Sequence, residues 1–157
     1  MVLDLTRFAA LIAVLANAVV YGTDVFCATV MRPALASIGD NTLVTVMGSV
    51  HRYGDRRMPV PGVLGLLAAL VSAVLAAASA YWTHAIAAGI AVLLLSIWLV
   101  VYLRVSAPLN KQLTAAADAG RQLTNGRVLQ QSWDRVIGAR ALLQGLALAA
   151  LCVVLAS

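Results

Sequence analysis

Apolar residues run along this chain in four long stretches, separated by one very short and two long polar connections. Crossing a bilayer takes roughly 20 mainly apolar residues in a helix. The stretches at about 8–31, 60–82, 85–105 and 136–157 meet that length. The pattern predicts an all-α fold, a four-helix transmembrane bundle forming one membrane domain over 1–157. Only Thr83 and His84 separate the second and third stretches, which predicts a tight antiparallel hairpin with His84 solvated in its turn. Arg7 precedes an apolar run reaching Ala16-Asn17-Ala18, a pattern like a signal-peptide cleavage site. The apolar stretch continues to Met31, so a retained span is expected.

The long connections, about 32–59 and 106–135, should contain helical segments too. Leu43, Val46, Met47 and Val50 recur at i, i+3, i+4 and i+7, one helical face, with Asp40-Asn41-Thr42 as the N-cap region. Leu109-Asn110-Lys111-Gln112-Leu113 opens a second amphipathic stretch, which Gly120 or Gly126 could end. Small residues let helices approach closely inside a bilayer. Ala69, Ala73 and Ala77, preceded by Gly62 and Gly65, and Gly138 with Gly145 are such positions. Tyr81, Trp82, Trp98 and Tyr102 near span ends suit an aromatic belt.

Composition strengthens the membrane reading. The chain is 62% hydrophobic and 11% charged, with a mean hydropathy of +0.94, whereas soluble domains carry about 25% charged residues. The net charge of +5 would suggest nucleic acid in a soluble protein. Here ten of the eleven basic residues fall in or beside the two long connections: Arg32, Arg52, Arg56, Arg57, Arg104, Lys111, Arg121, Arg127, Arg135 and Arg140. Only Arg7 lies on the other side. The positive-inside rule then puts both basic connections in the cytoplasm and both termini outside a cytoplasmic membrane. The expected partners are the lipid bilayer and a lipophilic small molecule, not nucleic acid; homo-oligomerisation is left open. Cys27 and Cys152 lie in apolar stretches as small packing residues.

Polar groups within spans are costly and tend to face protein. Asn17, Tyr21 and Asp24 share one face of the first span. Asp24 there needs either a proton or a nearby cation, and Arg104 and Arg140 are the cations within reach. A second concentration of polar and turn-forming residues runs over 47–62 and contains His51, able to act as a base or as a metal or haem ligand. His51 is the only plausible metal ligand, and one histidine alone makes a weak metal site. A third set comprises Asn110, Trp133, Arg140 and Gln144; the last three share one face of the final helix and could hold an anionic or phenolic group. Structural alternatives stand beside each: an ion pair for Asp24, an interfacial cap for His51, a lipid-phosphate contact for Arg140. No phosphate-cradling glycine loop, paired-cysteine motif or nucleophile elbow occurs.

Val30-Met31-Arg32-Pro33-Ala34-Leu35 after the first span, Pro108-Leu109-Asn110 after the third, and Trp133 with Arg140 opening the fourth resemble the DUF1772, or anthrone oxygenase-like, membrane family. The resemblance covers most of the chain and implies a four-helix oxidoreductase that oxidises a lipophilic aromatic or quinone-like substrate with dioxygen in a pocket between helices. Asn110, Trp133 and Arg140 are the matching positions. Members often carry His or Asn four residues after the Trp, where this chain has Ile137. His51 and Asp24 are then the candidate replacements. The reading from these residues is His51, Asp24 and Arg140 as catalytic groups, with Asn17, Tyr21, Asn110, Trp133 and Gln144 at the substrate. The cofactor is either absent or a haem or metal through His51. A non-enzymatic membrane component, such as an assembly partner, carrier or lipid-binding subunit, is the competing expectation.

Overall fold

The computed structural model describes residues 1–121 and 123–157, and among them no strand occurs. Helix α1, Val2–Phe26, runs through a π-helical turn at Cys27–Met31 into α2, Arg32–Ala36. Helix α3 covers Asp40–Arg57 and α4 Pro59–Ala78. Helix α5, Trp82–Val101, passes through a second π-helical turn at Tyr102–Ser106 into α6, Ala107–Asp118, and α7 closes the chain at Gly126–Ala156. Four continuous helical stretches, Val2–Ala36, Pro59–Ala78, Trp82–Asp118 and Gly126–Ala156, are long and apolar enough to cross a membrane. All-α architecture with helical connections is therefore the fold.

Three of the helices are longer than the apolar runs. Charged side chains end a hydropathy stretch, but they do not end a backbone helix when the next residues are also good helix formers. The two π-turns have a common cause in sequence. Pro33 and Pro108 each follow one of them. Proline lacks an N–H and clashes with the carbonyl four residues earlier. Those carbonyls belong to Thr29 and Arg104, and each falls inside a π-turn. Widening by one residue relieves the clash, and such bulges recur at functional sites.

The chain divides into two compact units. The first comprises Met1–Gly22, Val60–Leu99 and Leu142–Ser157. Its core is almost wholly alanine: Ala10, Ala13, Ala69, Ala88, Ala91 and Ala147 are fully buried, joined by Leu95, Leu151 and Val154. Large residues point outward instead, with Leu67, Val74, Ile86 and Leu93 all more than half exposed. Small inside and large outside is the arrangement a lipid solvent allows, because burying a large side chain gains little over hydrocarbon while close backbone approach gains packing. Ser72 Oγ donates to the Thr6 carbonyl at 3.0 Å, and Asn17 Nδ2 to the Ala13 carbonyl at 2.8 Å. A Cβ on Gly65 would lie 2.4 Å from that Asn17 amide, so any larger residue there must displace the Asn17 side chain. The Arg7 guanidinium donates to the Ser157 carbonyl.

Several expectations are corrected here. The hairpin turn is Ser79, Ala80 and Tyr81, with Ala80 at φ +57°, rather than Thr83-His84. His84 lies inside α5, is buried, and stands 5.9 Å from the Tyr81 ring instead of facing solvent. The buried face of α4 is Gly62, Gly65, Ala69, Ser72 and Ala76, while Ala77 is exposed. Trp98 is buried against Gly62 rather than belted at an interface.

The second unit comprises Thr23–Pro59 and Val100–Ala141. Helices α3 and α6 meet along Leu43, Val44, Met47 and Gly48 against Leu113, Ala116 and Ala117. The buried face of α3 thus follows 43, 44, 47, 48 and 51, and Val46 and Val50, expected on it, are exposed. A Cβ on Gly48 would stand 2.5 Å from the Leu113 carbonyl oxygen, so only glycine permits this approach. Thr114 Oγ1 donates to the Gly48 carbonyl at 3.1 Å, and Arg52 pairs with Asp118. Gly39, not the Asp40-Asn41-Thr42 run, occupies the N-cap of α3 and offers no side-chain cap. Asp40 instead takes the Arg127 guanidinium at 2.7 Å. Helix α6 stops just before Gly120, which adopts φ +59°.

Candidate functional site

The second unit buries both charged and neutral polar side chains. Asp24, His51, Ser106, Asn110, Gln130 and Arg140 are all at most 5% exposed. Burying an unpaired charge costs several kcal/mol, roughly, in any low-dielectric setting, so their partners decide what they do.

Arg140 is the centre of one group. Its Nη2 donates to Asp24 Oδ1 at 2.9 Å and its Nη1 to Ser106 Oγ at 2.8 Å. The guanidinium also lies 5.5 Å from the Tyr102 ring centroid and 6.0 Å from that of Trp133, within cation–π range. The cation beside Asp24 is therefore Arg140, and Arg104 is exposed. Tyr102 and Ser106 belong to one π-turn.

Asp55 is the centre of a second group. Its Oδ1 accepts from the Tyr102 hydroxyl at 2.9 Å and from Asn110 Nδ2 at 2.8 Å. His51 lies one helical turn earlier on α3, with its ring 5.6 Å from that of Trp133 and tilted by 56°. Burial pushes the His51 pKa down to about 4, an effect that Asp55 opposes and Arg140 reinforces. The imidazole is accordingly neutral across the neutral range.

Among the described residues, His51 Nε2, Trp133 Nε1 and Asn110 Oδ1 are buried here without a hydrogen-bond partner. Native proteins rarely leave such atoms unsatisfied, and each one asks for an explanation. Together they comprise an imidazole nitrogen, an indole N–H donor and an amide acceptor. Ile137 is fully buried with Trp133 and Cys27, so the position where a polar group was looked for contributes an apolar wall.

Asp24, His51, Asn110, Trp133 and Arg140 thus belong to one unit. Asn17, Tyr21 and Gln144 belong to the other. Asn17 is engaged with Ala13 and Gly65, and Tyr21 packs on Gly145, 3.2 Å from where its Cβ would stand. Asp55, Tyr102 and Ser106 were not singled out from the sequence. The signal for Asp55 was its i+4 spacing from His51; Tyr102 was absorbed into the expected aromatic belt. Among the described residues no group of three or more His, Cys, Asp or Glu side chains comes together for a metal ion. Compared with family models, curated proteins and solved structures, the chain finds no match in any of the three.

Proposed function

We propose that this protein is a membrane oxidoreductase of the anthrone oxygenase type, converting a lipophilic aromatic CH2 ketone to a quinone with dioxygen. The observation that carries the reading is the trio of buried, unpartnered polar atoms on His51, Trp133 and Asn110 beside the Arg140–Asp24 pair. The resemblance of the Arg32-Pro33, Pro108-Leu109-Asn110 and Trp133–Arg140 segments to that family adds to it.

The chemistry needs a base, an oxyanion stabiliser and an apolar slot. An anthrone carries a CH2 flanked by two rings and para to its carbonyl, so loss of one proton gives an aromatic enolate. His51 Nε2 takes that proton. Trp133 Nε1–H donates to the oxyanion as it forms, and the Arg140 charge, partly offset by Asp24, stabilises it from a short distance. Asn110 Oδ1 accepts from a substrate hydroxyl. The enolate then gives electrons to dioxygen. Overall the CH2 becomes C=O, one dioxygen is consumed, and the two hydrogens leave as water. A base with so low a proton affinity makes the step depend on oxyanion stabilisation, which is why the indole N–H matters. The lipid bilayer supplies that substrate by partitioning, and the basic connections face the cytoplasm with both termini outside.

A non-enzymatic membrane component remains the second reading, favoured by Arg140 and Asp24 neutralising one another. The two are separated by incubating the purified full chain in detergent with anthrone and following oxygen uptake and quinone absorbance. One dioxygen consumed per quinone, above the rate of detergent alone, supports the oxidoreductase. No acceleration with correctly folded protein overturns it.

A further inference from the structure

A second site lies in the same unit, apart from the residues used above. Arg32, Leu35, Leu43, Arg127, Gln130 and Asp134 contribute to the wall of a partly open cleft of about 250 Å³. Their polar groups are not equivalent. Arg127 is saturated: it pairs with Asp40 and donates to the carbonyls of Leu35 at 3.1 Å and Ile38 at 2.5 Å. It holds the end of α2 to the start of α7 and has little left for a ligand. Arg32 is the opposite case. It is more than half exposed, and among the described residues its ion-pair contact is a long 4.0 Å approach to Asp134 Oδ2.

Gln130 is 2% exposed, and its Nε2 donates to Asp134 Oδ1 at 2.9 Å. That bond fixes the amide with its oxygen as the remaining group, and this Oε1 is buried without a partner. The wall of the cleft thus contains one loosely held guanidinium, one carboxylate and a glutamine whose buried amide oxygen is unsatisfied, together with the apolar Leu35 and Leu43. The acceptor and the carboxylate call for a cation that carries N–H groups. The guanidinium calls for an oxyanion. Val30 and Val128, two residues before Arg32 and one after Arg127, are exposed and apolar, as an acyl chain would require.

We propose that this cleft binds a phosphate ester of a primary ammonium, the headgroup chemistry of an ethanolamine phospholipid or of free phosphoethanolamine. The ammonium sits against Gln130 Oε1 and Asp134, and the phosphate against Arg32. A trimethylammonium group has no N–H to give to Gln130, so choline is the discriminating control. The site stands independently of the catalytic reading.

The test uses the purified full chain in detergent. Native mass spectrometry compares dioleoylphosphatidylethanolamine with dioleoylphosphatidylcholine, and calorimetry compares free phosphoethanolamine with phosphocholine. The ethanolamine form should bind about tenfold tighter, as a hydrogen bond from a charged donor to a buried acceptor warrants. Preference in the lipid arm alone identifies a lipid; preference in both identifies the headgroup as sufficient. Gln130→Met should cut the preference severalfold, leaving the share that Asp134 carries. Arg32→Gln, at an exposed position, should weaken both forms severalfold and keep their order. Equal binding of the two forms in both arms, a preference undiminished in Gln130→Met, or unchanged affinity in Arg32→Gln each overturns the proposal.

Discussion

The two units of this chain differ in what they bury. The first has alanine at the centre of its core, also buries Thr6, Asn17, Ser72, His84 and Gln144, and turns its large aliphatic side chains outward. The second buries a carboxylate, a guanidinium, an imidazole and two amides within two segments, Thr23–Pro59 and Val100–Ala141. An alanine core can be repeated along any helix, and it depends on no single partner. A buried polar group is tolerable only if another element delivers its complement, so the second unit is specified pair by pair. The difference teaches where charge can reside: a carboxylate and a guanidinium stay buried in the second unit because each is the other's partner.

The strongest way to break this contrast is to remove one partner of the Arg140–Asp24 pair. Arg140→Met or Asp24→Asn alone should cost about 3–5 kcal/mol, since each leaves a desolvated charge or orphaned donors. The double variant should cost less than either single one. Thermal melting in detergent micelles measures all three, and additive losses would mean that the pair is not coupled.

Acid should act on the second unit through His51. Its pKa is about 4 when folded and near 6.5 when unfolded. The depressed value means that the folded state resists protonation, so the full contribution is present above pH 6.5 and is lost as pH falls toward 4. The loss should approach about 3 kcal/mol. His51→Gln should be free of it, and parallel melting curves for the two proteins between pH 7 and pH 4.5 would contradict the account.

Two glycines sharpen the comparison at a smaller scale. Gly48→Ala in the second unit drives a methyl into the Leu113 carbonyl, which is backbone and must move as a whole helix. A loss of about 1–3 kcal/mol is expected. Gly65→Ala in the first unit meets only the Asn17 side chain. It should cost about 1 kcal/mol, and Asn17→Ala in the same chain should relieve most of that. Melting of the three variants decides whether side chain or backbone sets the cost.

The parts legible in sequence follow the same division. Hydrophobic run length located all four spans, because lipid imposes it residue by residue. Helix ends were less legible: Arg32 and Arg104 end apolar runs, yet α2 and α6 continue past them, and the turn at Ala80 contains no glycine or proline to announce it. His84 was misread for that reason, since a polar residue between two apolar runs looks like a turn when the true turn is apolar. Asp24 needed a cation, and Arg140 was one of two named; choosing it over Arg104 required knowing which helix faces meet. Asp55 was passed over although it lies one turn after His51, and Tyr102, read as an aromatic-belt residue, lies with Ser106 on a π-turn. The extra residue there rotates the downstream face by roughly a quarter turn from the 3.6-residue period.

Turnover of His51→Gln tests the central claim most directly. Oxygen uptake with anthrone should fall by about a hundredfold or more relative to the unsubstituted chain, as loss of a general base predicts, while melting at pH 7 shows a folded protein. Unchanged uptake from a folded His51→Gln protein would contradict the assignment of the second unit's buried polar cluster as the reacting site.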